Sequence, residues 1–165
     1  MDATSQEAPG AASLLPQMVV NGPPPGAIRV LLAEGDRPFA RELMRTLTAE
    51  ERFDVVGCAR DGREAVELAA ALLPDVVLLG MEMPGLDPSE ATRRIRARVP
   101  SARVFIMGSF DQVKVDAALA AGAAGFIQRT CVSADLAAAI LGLAVMSAFD
   151  SAALARGRAE PPVSR

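Results

Sequence analysis

The stretch "PDVVLLGMEMPG", Pro74 to Gly85, decides the fold of this 165-residue chain. Residues 76–79 form a continuous apolar run, which is typical of a short strand buried on both faces of a parallel sheet. The run stops at Gly80, and Met83-Pro84-Gly85 predicts a loop. Ligands of open α/β sheets usually bind at the carboxyl ends of the strands. This strand therefore brings to that edge a residue without a side chain.

Strand and helix signals alternate on both sides of this stretch. Apolar runs predict further strands at residues 28–33, 54–59, 103–107 and 125–128, and helical spacing predicts helices at about 38–50, 63–73, 88–99, 111–121 and 133–146. Such alternation implies right-handed crossovers and a parallel sheet covered on both faces. We expect an α/β, flavodoxin-like fold, a doubly wound (βα)5 sheet of strand order 2-1-3-4-5. The residues after Ala33 and after Leu79 then meet in one cleft.

The ends of the chain differ from this alternating region. Residues 1–26 are rich in Ala, Pro and Gly and end in "NGPPPG", which favours an extended linker and predicts a disordered leader. Residues 147–165 have a similar composition and predict a disordered tail. Residues 27–146 are expected to form the single folded domain.

The composition excludes several kinds of chemistry. The chain has no His, which removes His-containing triads, mixed Cys and His zinc sites and phosphohistidine. Its two cysteines, Cys58 and Cys131, do not form a disulfide framework and fit a reducing compartment. A net charge of −3 gives no general attraction to nucleic acid.

Neither a membrane segment nor a secretory signal is expected. The longest apolar run, residues 136–149, is shorter than the ~18–20 residues that span a bilayer. No Lys or Arg precedes Arg29, so a signal peptide with a basic start is not expected. The sequence predicts a cytoplasmic protein without a membrane partner.

Five blocks of the sequence carry a resemblance to a known family. They are "IRVLLAEGDRPFAREL" (28–43), "VVGCARDGREAVELA" (55–69), "PDVVLLGMEMPGLDPSEATRRIR" (74–96), "RVFIMGSFD" (103–111) and "AGAAGFIQRT" (121–130). In this order they resemble the receiver domain of two-component response regulators, in particular the NarL/LuxR subgroup. The resemblance runs from about residue 28 to 143.

The resemblance implies phosphorelay signalling. In that family a sensor kinase's phosphoryl group passes to an aspartate at the end of the third strand, and two acids after the first strand hold Mg²⁺ beside it. A Thr or Ser after the fourth strand and a Lys after the fifth contact the phosphoryl oxygens. Carboxylates suit the hard metal ion, and the phosphoryl charge needs a cation and hydroxyl donors around it.

This sequence departs from the family at nearly every one of these positions. The phosphoacceptor position is Gly80, and the acid pair falls on Glu34 and Gly35, or on Gly35 and Asp36 with a shift of one residue. The hydroxyl position falls on Gly108, which Ser109 follows.

Two further positions keep part of their type. Arg129 replaces the Lys, and Phe126 stands where the family has an aromatic residue that reorients on activation. The resemblance therefore implies a degenerate pseudo-receiver, with no phosphoacceptor, no catalytic residue, no metal ligand and no cofactor. We do not expect an enzyme.

The remaining polar residues of the pocket allow two interpretations. Glu34 and Asp36 bind a cation, or they are solvated acids that cap the next helix, whose N-terminus favours negative charge. Arg129, expected next to Glu34, is placed to form a salt bridge that closes the empty pocket.

Three surface segments bear on partners. The basic cluster "RRIRAR", residues 93–98, is read as a solvated helix face, with kinase docking or nucleic-acid contact as the alternative. Residues 136–149 are more apolar than a surface helix requires, which favours a dimer or partner interface over a simple Ala-rich helix. "SAFDSAALARG", residues 147–157, resembles the start of the linker to a helix-turn-helix domain, but we do not expect the protein to have a DNA-reading element of its own.

The sequence thus predicts a receiver-like protein that acts by binding a sensor kinase, another regulator or a second copy of itself, and does not contact nucleic acid directly. Three alternatives stay open. The first is a phosphorelay switch with an unorthodox acceptor such as Ser109 or Asp36. The second is a small-molecule sensor whose pocket is enlarged by Gly80 and Gly108. The third is a remnant of a NarL/LuxR-type transcriptional regulator.

Overall fold

A parallel sheet of five strands forms the centre of the molecule in a computed structural model that describes residues 25–131 and 136–142. The strands are β1 (Ile28–Ala33), β2 (Phe53–Ala59), β3 (Val76–Gly80), β4 (Arg103–Gly108) and β5 (Gly125–Gln128). They are ordered β2-β1-β3-β4-β5, which confirms the flavodoxin-like order predicted from the sequence. The leader and the tail predicted at the two ends lie almost wholly outside the described residues.

Helices cover both faces of the sheet. They are α1 (Arg37–Thr48), α2 (Gly62–Leu72), α3 (Pro88–Arg98) and α4 (Gln112–Ala120), and a 3₁₀ turn (Arg129–Cys131) follows β5. Residues 136–142 are helical and belong to the last predicted helix, whose other residues are not described. Observed and predicted boundaries differ by at most two residues, as is usual where helix ends fray.

Each of these four helices begins at an aspartate that follows a strand. Asp36, Asp61, Asp87 and Asp111 are the N-caps, and each accepts a hydrogen bond from a backbone N–H in the first turn. This capping typically stabilises a helix by about 1 kcal/mol. The caps fix the helix starts close to the carboxyl edge of the sheet, where the predicted site lies.

The strand register brings the ends of the central strands to the same level. Ala33 pairs with Leu79, and Gly80 pairs with Met107. The first residue after β1 therefore lies beside the last residue of β3. The pairing of β1 with β2 shifts by one residue between Val30 and Leu31.

The core has one layer on each face of the sheet. Leu31, Val77, Leu79, Ile95 and Ile106 belong to the layer under α2, α3 and α4. Leu32, Leu43, Leu78, Phe105 and Ile140 belong to the layer under α1 and the 136–142 helical segment. Burying a Leu, Ile or Phe side chain contributes about 1.5–3 kcal/mol. The core thus uses mainly aliphatic side chains, as the low aromatic content of 4% requires. No helix in the described part of the chain is both long and apolar enough to cross a membrane.

Candidate functional site

Glu34 and Gly80 lie in contact at the carboxyl edge of the sheet. A Cβ atom added to residue 80 would lie 3.0 Å from Glu34 Oε2 and 3.3 Å from Met83 Cγ. The predicted meeting of the residues after Ala33 and Leu79 is therefore confirmed. The space beside the end of β3 is filled by the Glu34 carboxylate and the Met83 side chain.

Glu34 is a buried acid. Its side chain is 7% exposed, and Oε1 accepts a 2.9 Å hydrogen bond from the backbone N–H of Asp36. Burial raises the pKa of Glu34 above its ordinary value, although the Asp36 N–H and the charge of Arg129 act in the opposite direction. The interpretation of Glu34 as a solvated acid is wrong, because the residue is buried between the ends of β1 and β3.

Asp36, in contrast, is exposed and caps α1, so the capping interpretation is confirmed for this residue. Its Oδ1 accepts a 3.3 Å hydrogen bond from the Phe39 N–H, and its Oδ2 accepts a 2.6 Å hydrogen bond from Arg129 Nη2. The Arg129 hydrogen bond, followed by that from Phe39, holds the pKa of Asp36 below its usual range. This carboxylate is oriented toward α1 and Arg129.

The Arg129 guanidinium joins the end of β5 to the start of α1. It pairs with Asp36 and not with Glu34, the partner expected from the sequence, and its Cζ lies 3.8 Å from the centroid of the Phe39 ring. The two paired side chains are 35% and 45% exposed, so the ion pair itself adds little stability. The contact with Phe39 was not predicted from the sequence, because helical spacing does not show which cation packs on an aromatic ring.

The two glycines at the ends of β3 and β4 do not open a pocket between them. A Cβ on Gly108 would lie 2.8 Å from Met81 Cβ, so the methionine occupies the space that a Thr or Ser side chain needs. Neither Gly80 nor Gly108 has a positive φ, so the backbone itself does not require glycine. The prediction of an enlarged pocket between Gly80 and Gly108 is therefore wrong, because side chains fill this space.

Gly35 and Ser109 complete the predicted site. A Cβ on Gly35 would meet Pro84 Cδ at 3.3 Å, and Ser109 lies exposed immediately after β4. Ser109 has an accessible hydroxyl, but no hydrogen bond connects it to Glu34, Asp36 or Arg129 in the described residues.

Phe126 lies on β5, partly buried against the core layer under α4. Its ring packs edge-to-face against Phe110, with the centroids 5.9 Å apart at 70°. Phe110 is itself 60% exposed. Phe126, the predicted switch aromatic, is therefore linked to the surface at the start of α4 by its contact with the Phe110 ring.

The donor set at this edge does not fit a magnesium ion. Glu34 is the one carboxylate beside Gly80, Asp36 is engaged by Arg129, and residues 35 and 80 have no side chains. Mg²⁺ requires near-octahedral oxygen ligands and carboxylate charge. Among the described residues no cluster of three or more His, Cys, Asp or Glu side chains is arranged to hold a metal ion.

The basic cluster of α3 is largely self-contained. Arg93 and Arg94 both pair with Glu90 on the preceding turn, and Arg96 Nη1 donates to the Pro100 carbonyl at 2.9 Å. All three side chains are exposed. This supports the solvated helix face.

The interface predicted at residues 136–149 is described only in part, so it stays a prediction. In the 136–142 helical segment Leu136 and Ile140 are buried in the core, and residues 143–149 of the predicted interface are not described. Around α4, by contrast, Phe110, Val113 and Leu119 are 60%, 78% and 45% exposed.

The strand order of this doubly wound sheet is that of two-component receiver domains. The residues at the family's site positions follow β1, β3, β4 and β5, at the carboxyl edge of the sheet. The family profile described as the response regulator receiver domain matches residues 30–141. The chain belongs to this family.

Curated relatives and solved structures support the NarL-type subgroup. The transcriptional regulatory protein LiaR of Bacillus subtilis is 37% identical over 114 residues, covering 68% of this chain and 54% of LiaR. The regulator NarL of Mycobacterium tuberculosis is 35% identical over 127 residues, covering 76% of this chain and 58% of NarL. The solved signal receiver domain of that NarL superposes with a TM-score of 0.68 at 33% identity, covering 72% of this chain and 96% of that domain.

A third relative belongs to another class of protein. Protein-glutamate methylesterase/protein-glutamine glutaminase 4 of Myxococcus xanthus is 44% identical over 105 residues, covering 62% of this chain and 30% of the enzyme. The chain spans little more than half the length of the two transcriptional regulators. The described part of the chain is a receiver domain of two-component signalling. The matches cover only part of these longer relatives, so their transcriptional or enzymatic activities are not assigned to this chain.

Proposed function

We propose that this receiver domain signals without phosphorylation at the end of β3 and acts by binding a protein partner, either a second copy or another signalling protein. The contact between Glu34 and Gly80 carries this proposal. At the position that corresponds to the phosphoacceptor there is no nucleophile, and the Glu34 carboxylate lies 3.0 Å from where its Cβ would be. A phosphoryl group brought there would meet the Glu34 carboxylate without the second acid that in this family helps to hold Mg²⁺.

The surrounding contacts support the same proposal. The cation that corresponds to the family's Lys pairs with Asp36 and lies over the Phe39 ring, and Met81 occupies the space of the missing hydroxyl side chain. Three of the groups that phosphoryl transfer requires are therefore replaced or redirected. We propose a pseudo-receiver with no catalytic activity in the described domain.

The surface around α4 is the proposed contact region. Apolar residues lie on both its buried and its exposed sides, which is unusual for a helix with one side in water. Phe110 connects this surface to Phe126 through their ring contact. A partner bound at α4 would thus contact the aromatic pair directly, with no phosphoryl group required.

The test is incubation of the chain with acetyl phosphate and Mg²⁺, followed by intact-mass measurement and peptide mapping. A receiver with an aspartate at the β3 end serves as the positive control. We expect no stoichiometric phosphorylation of this chain. An acid-stable phosphate on Ser109, or an acyl phosphate on Asp36, would contradict the proposal and support the unorthodox acceptor instead.

A further inference from the structure

A cleft of about 220 Å³ opens between α1 and the end of β2. Its floor contains Met44 and Cys58, and Glu34 borders it on the side of the sheet. It is separate from the space between Gly80 and Gly108, which side chains fill. The receiver resemblance assigns it no role.

Three arginines line this cleft. Arg37 and Arg41 lie one turn apart on α1, and Arg60 follows the end of β2. All three are exposed, and none forms an ion pair within 4.0 Å with another described residue. Arg129 and the Arg93–Arg94 pair, in contrast, each have an acidic partner.

The position of two of these arginines opposes helix stability. Arg37 is the first residue of α1, the first turn has no acidic side chain, and Arg41 lies four residues on. Like charges at this spacing repel each other, and the positive end of the helix dipole disfavours cations. An anion in the cleft would relieve both effects.

Glu34 forms the inner boundary of the cleft and is compatible with an anion. One of its oxygens is engaged by the Asp36 N–H. Burial raises the pKa of Glu34, so this acid takes up a proton at a higher pH than an exposed acid, and in the protonated form it donates a hydrogen bond to an anionic oxygen.

We propose that the cleft between α1 and β2 binds a phosphate group, free or carried by a small phosphomonoester. Guanidinium groups bind phosphate oxygens through paired N–H donors, and three of them provide enough charge for a dianion. The cleft is smaller than the roughly 300–1,000 Å³ of drug-sized ligand pockets, which limits the ligand to a few heavy atoms. Glu34 lines the cleft and also lies beside Gly80. A phosphate bound in the cleft would therefore affect the carboxyl edge of the sheet through Glu34, without any phosphoryl transfer.

The test is calorimetric titration of the full chain with inorganic phosphate and with glycerol 3-phosphate, with ionic strength held constant by NaCl. We expect saturable binding of one equivalent, weakened on the order of tenfold or more in Arg41→Gln because a charge-assisted contact is lost. The matched control is Arg45→Gln, which makes the same charge change on an exposed arginine of α1 outside the cleft. It should bind like the wild type.

Amide spectra of the ¹⁵N-labelled chain locate the site. Phosphate should shift the amide resonances of residues 37, 39–41 and 60 in the wild type and in Arg45→Gln, and the spectrum without ligand verifies that each variant is folded. Shifts with glycerol 3-phosphate but not with inorganic phosphate would assign an ester ligand. Equal weakening by the two variants, an equal response to acetate at the same ionic strength, or no saturable binding would each overturn the proposal.

Discussion

At the scale of single residues, the buried Glu34 side chain fills the space beside Gly80 at the carboxyl edge of the sheet. Its Oε2 lies 3.0 Å from where a Cβ at position 80 would be, and the nearby Asp36 pairs with Arg129. Two acids that are close in sequence thus have opposite environments, one buried and one exposed. Burial raises the pKa of Glu34, whereas the hydrogen bond from Arg129 lowers the pKa of Asp36.

Gly80→Asp alone should not restore phosphorylation. The new carboxylate would lie against Glu34, where two like charges at short range oppose each other's ionisation, and the Met81 and Arg129 arrangements would be unchanged. With acetyl phosphate and Mg²⁺ we expect no stoichiometric acyl phosphate by intact mass.

Gly80→Asn is the control for Gly80→Asp, because it has nearly the same shape without the charge. At neutral pH we expect the Asp variant to unfold at lower urea than the Asn variant. Strong labelling of Gly80→Asp would mean that the remaining groups of the pocket suffice for phosphoryl transfer.

Glu34 also gives the stability of the domain a defined pH dependence. Its pKa is raised in the folded state, so between the ordinary value of 4.5 and the folded-state pKa the folded chain binds more protons than the unfolded chain. Its contribution to the free energy of unfolding therefore decreases as pH rises through that window. Above the window the buried carboxylate is charged, and the folded state no longer gains from holding the proton.

Glu34→Gln should remove this decrease and raise stability at pH 7–8, because Gln keeps an acceptor for the Asp36 N–H. Urea unfolding from pH 4.5 to pH 8 measures the effect, and Glu42→Gln on the exposed side of α1 is the control. A Glu34→Gln variant that is less stable than the wild type at pH 8 would mean that the charged carboxylate is needed.

At the scale of elements, the contact of Arg129 with Phe39 and Asp36 connects α1 to the 3₁₀ turn after β5. The ion pair is partly exposed and screened, whereas the guanidinium over the Phe39 ring excludes water from one face of each group. The ring contact should therefore provide most of the coupling between these two elements.

A double-mutant cycle of Arg129→Gln and Phe39→Leu measures that coupling. We expect an interaction free energy of about 0.5–1 kcal/mol in urea unfolding, the range of partly exposed cation–π contacts. The Leu side chain keeps the packing of Phe39 on the core layer under α1. The same cycle in 1 M NaCl should change little, whereas a coupling that disappears in salt would assign the effect to the Asp36 ion pair.

At the scale of the whole molecule, the strands and helices could be predicted from the sequence, because short-range patterns of apolar residues determine where they lie. Strand β1 and strand β5 were predicted with their observed ends, since an apolar run followed by an acid or a polar residue defines them. The register of β1 and β3 then placed Glu34 beside Gly80, as the strand order requires. The family resemblance agrees with this order.

Side-chain depth and direction were not predictable from those patterns. Glu34 was expected in solvent because acids rarely occur in cores, and its burial depends on the neighbouring Met83 and Gly80. The pocket expected at Gly80 and Gly108 was filled by side chains whose rotamers no periodicity fixes. The arginine cleft was missed although the predicted strand order places β2 beside β1, because helical and strand spacing do not fix where long Arg side chains point.

The exposed apolar residues of α4 lead to a prediction for the assembled protein. If a second copy covers this surface, the wild type should be a dimer in light scattering after size exclusion, at tens of micromolar. Val113→Glu, at a side chain that is 78% exposed, should shift it to a monomer without lowering the unfolding temperature, since Val113 contributes little to the core. Leu73→Glu is the matched control, because Leu73 is also 60% exposed but lies after α2, away from α4. A wild type that is monomeric at these concentrations would leave another signalling protein as the proposed partner, whereas a dimer unaffected by Val113→Glu would place the interface outside α4.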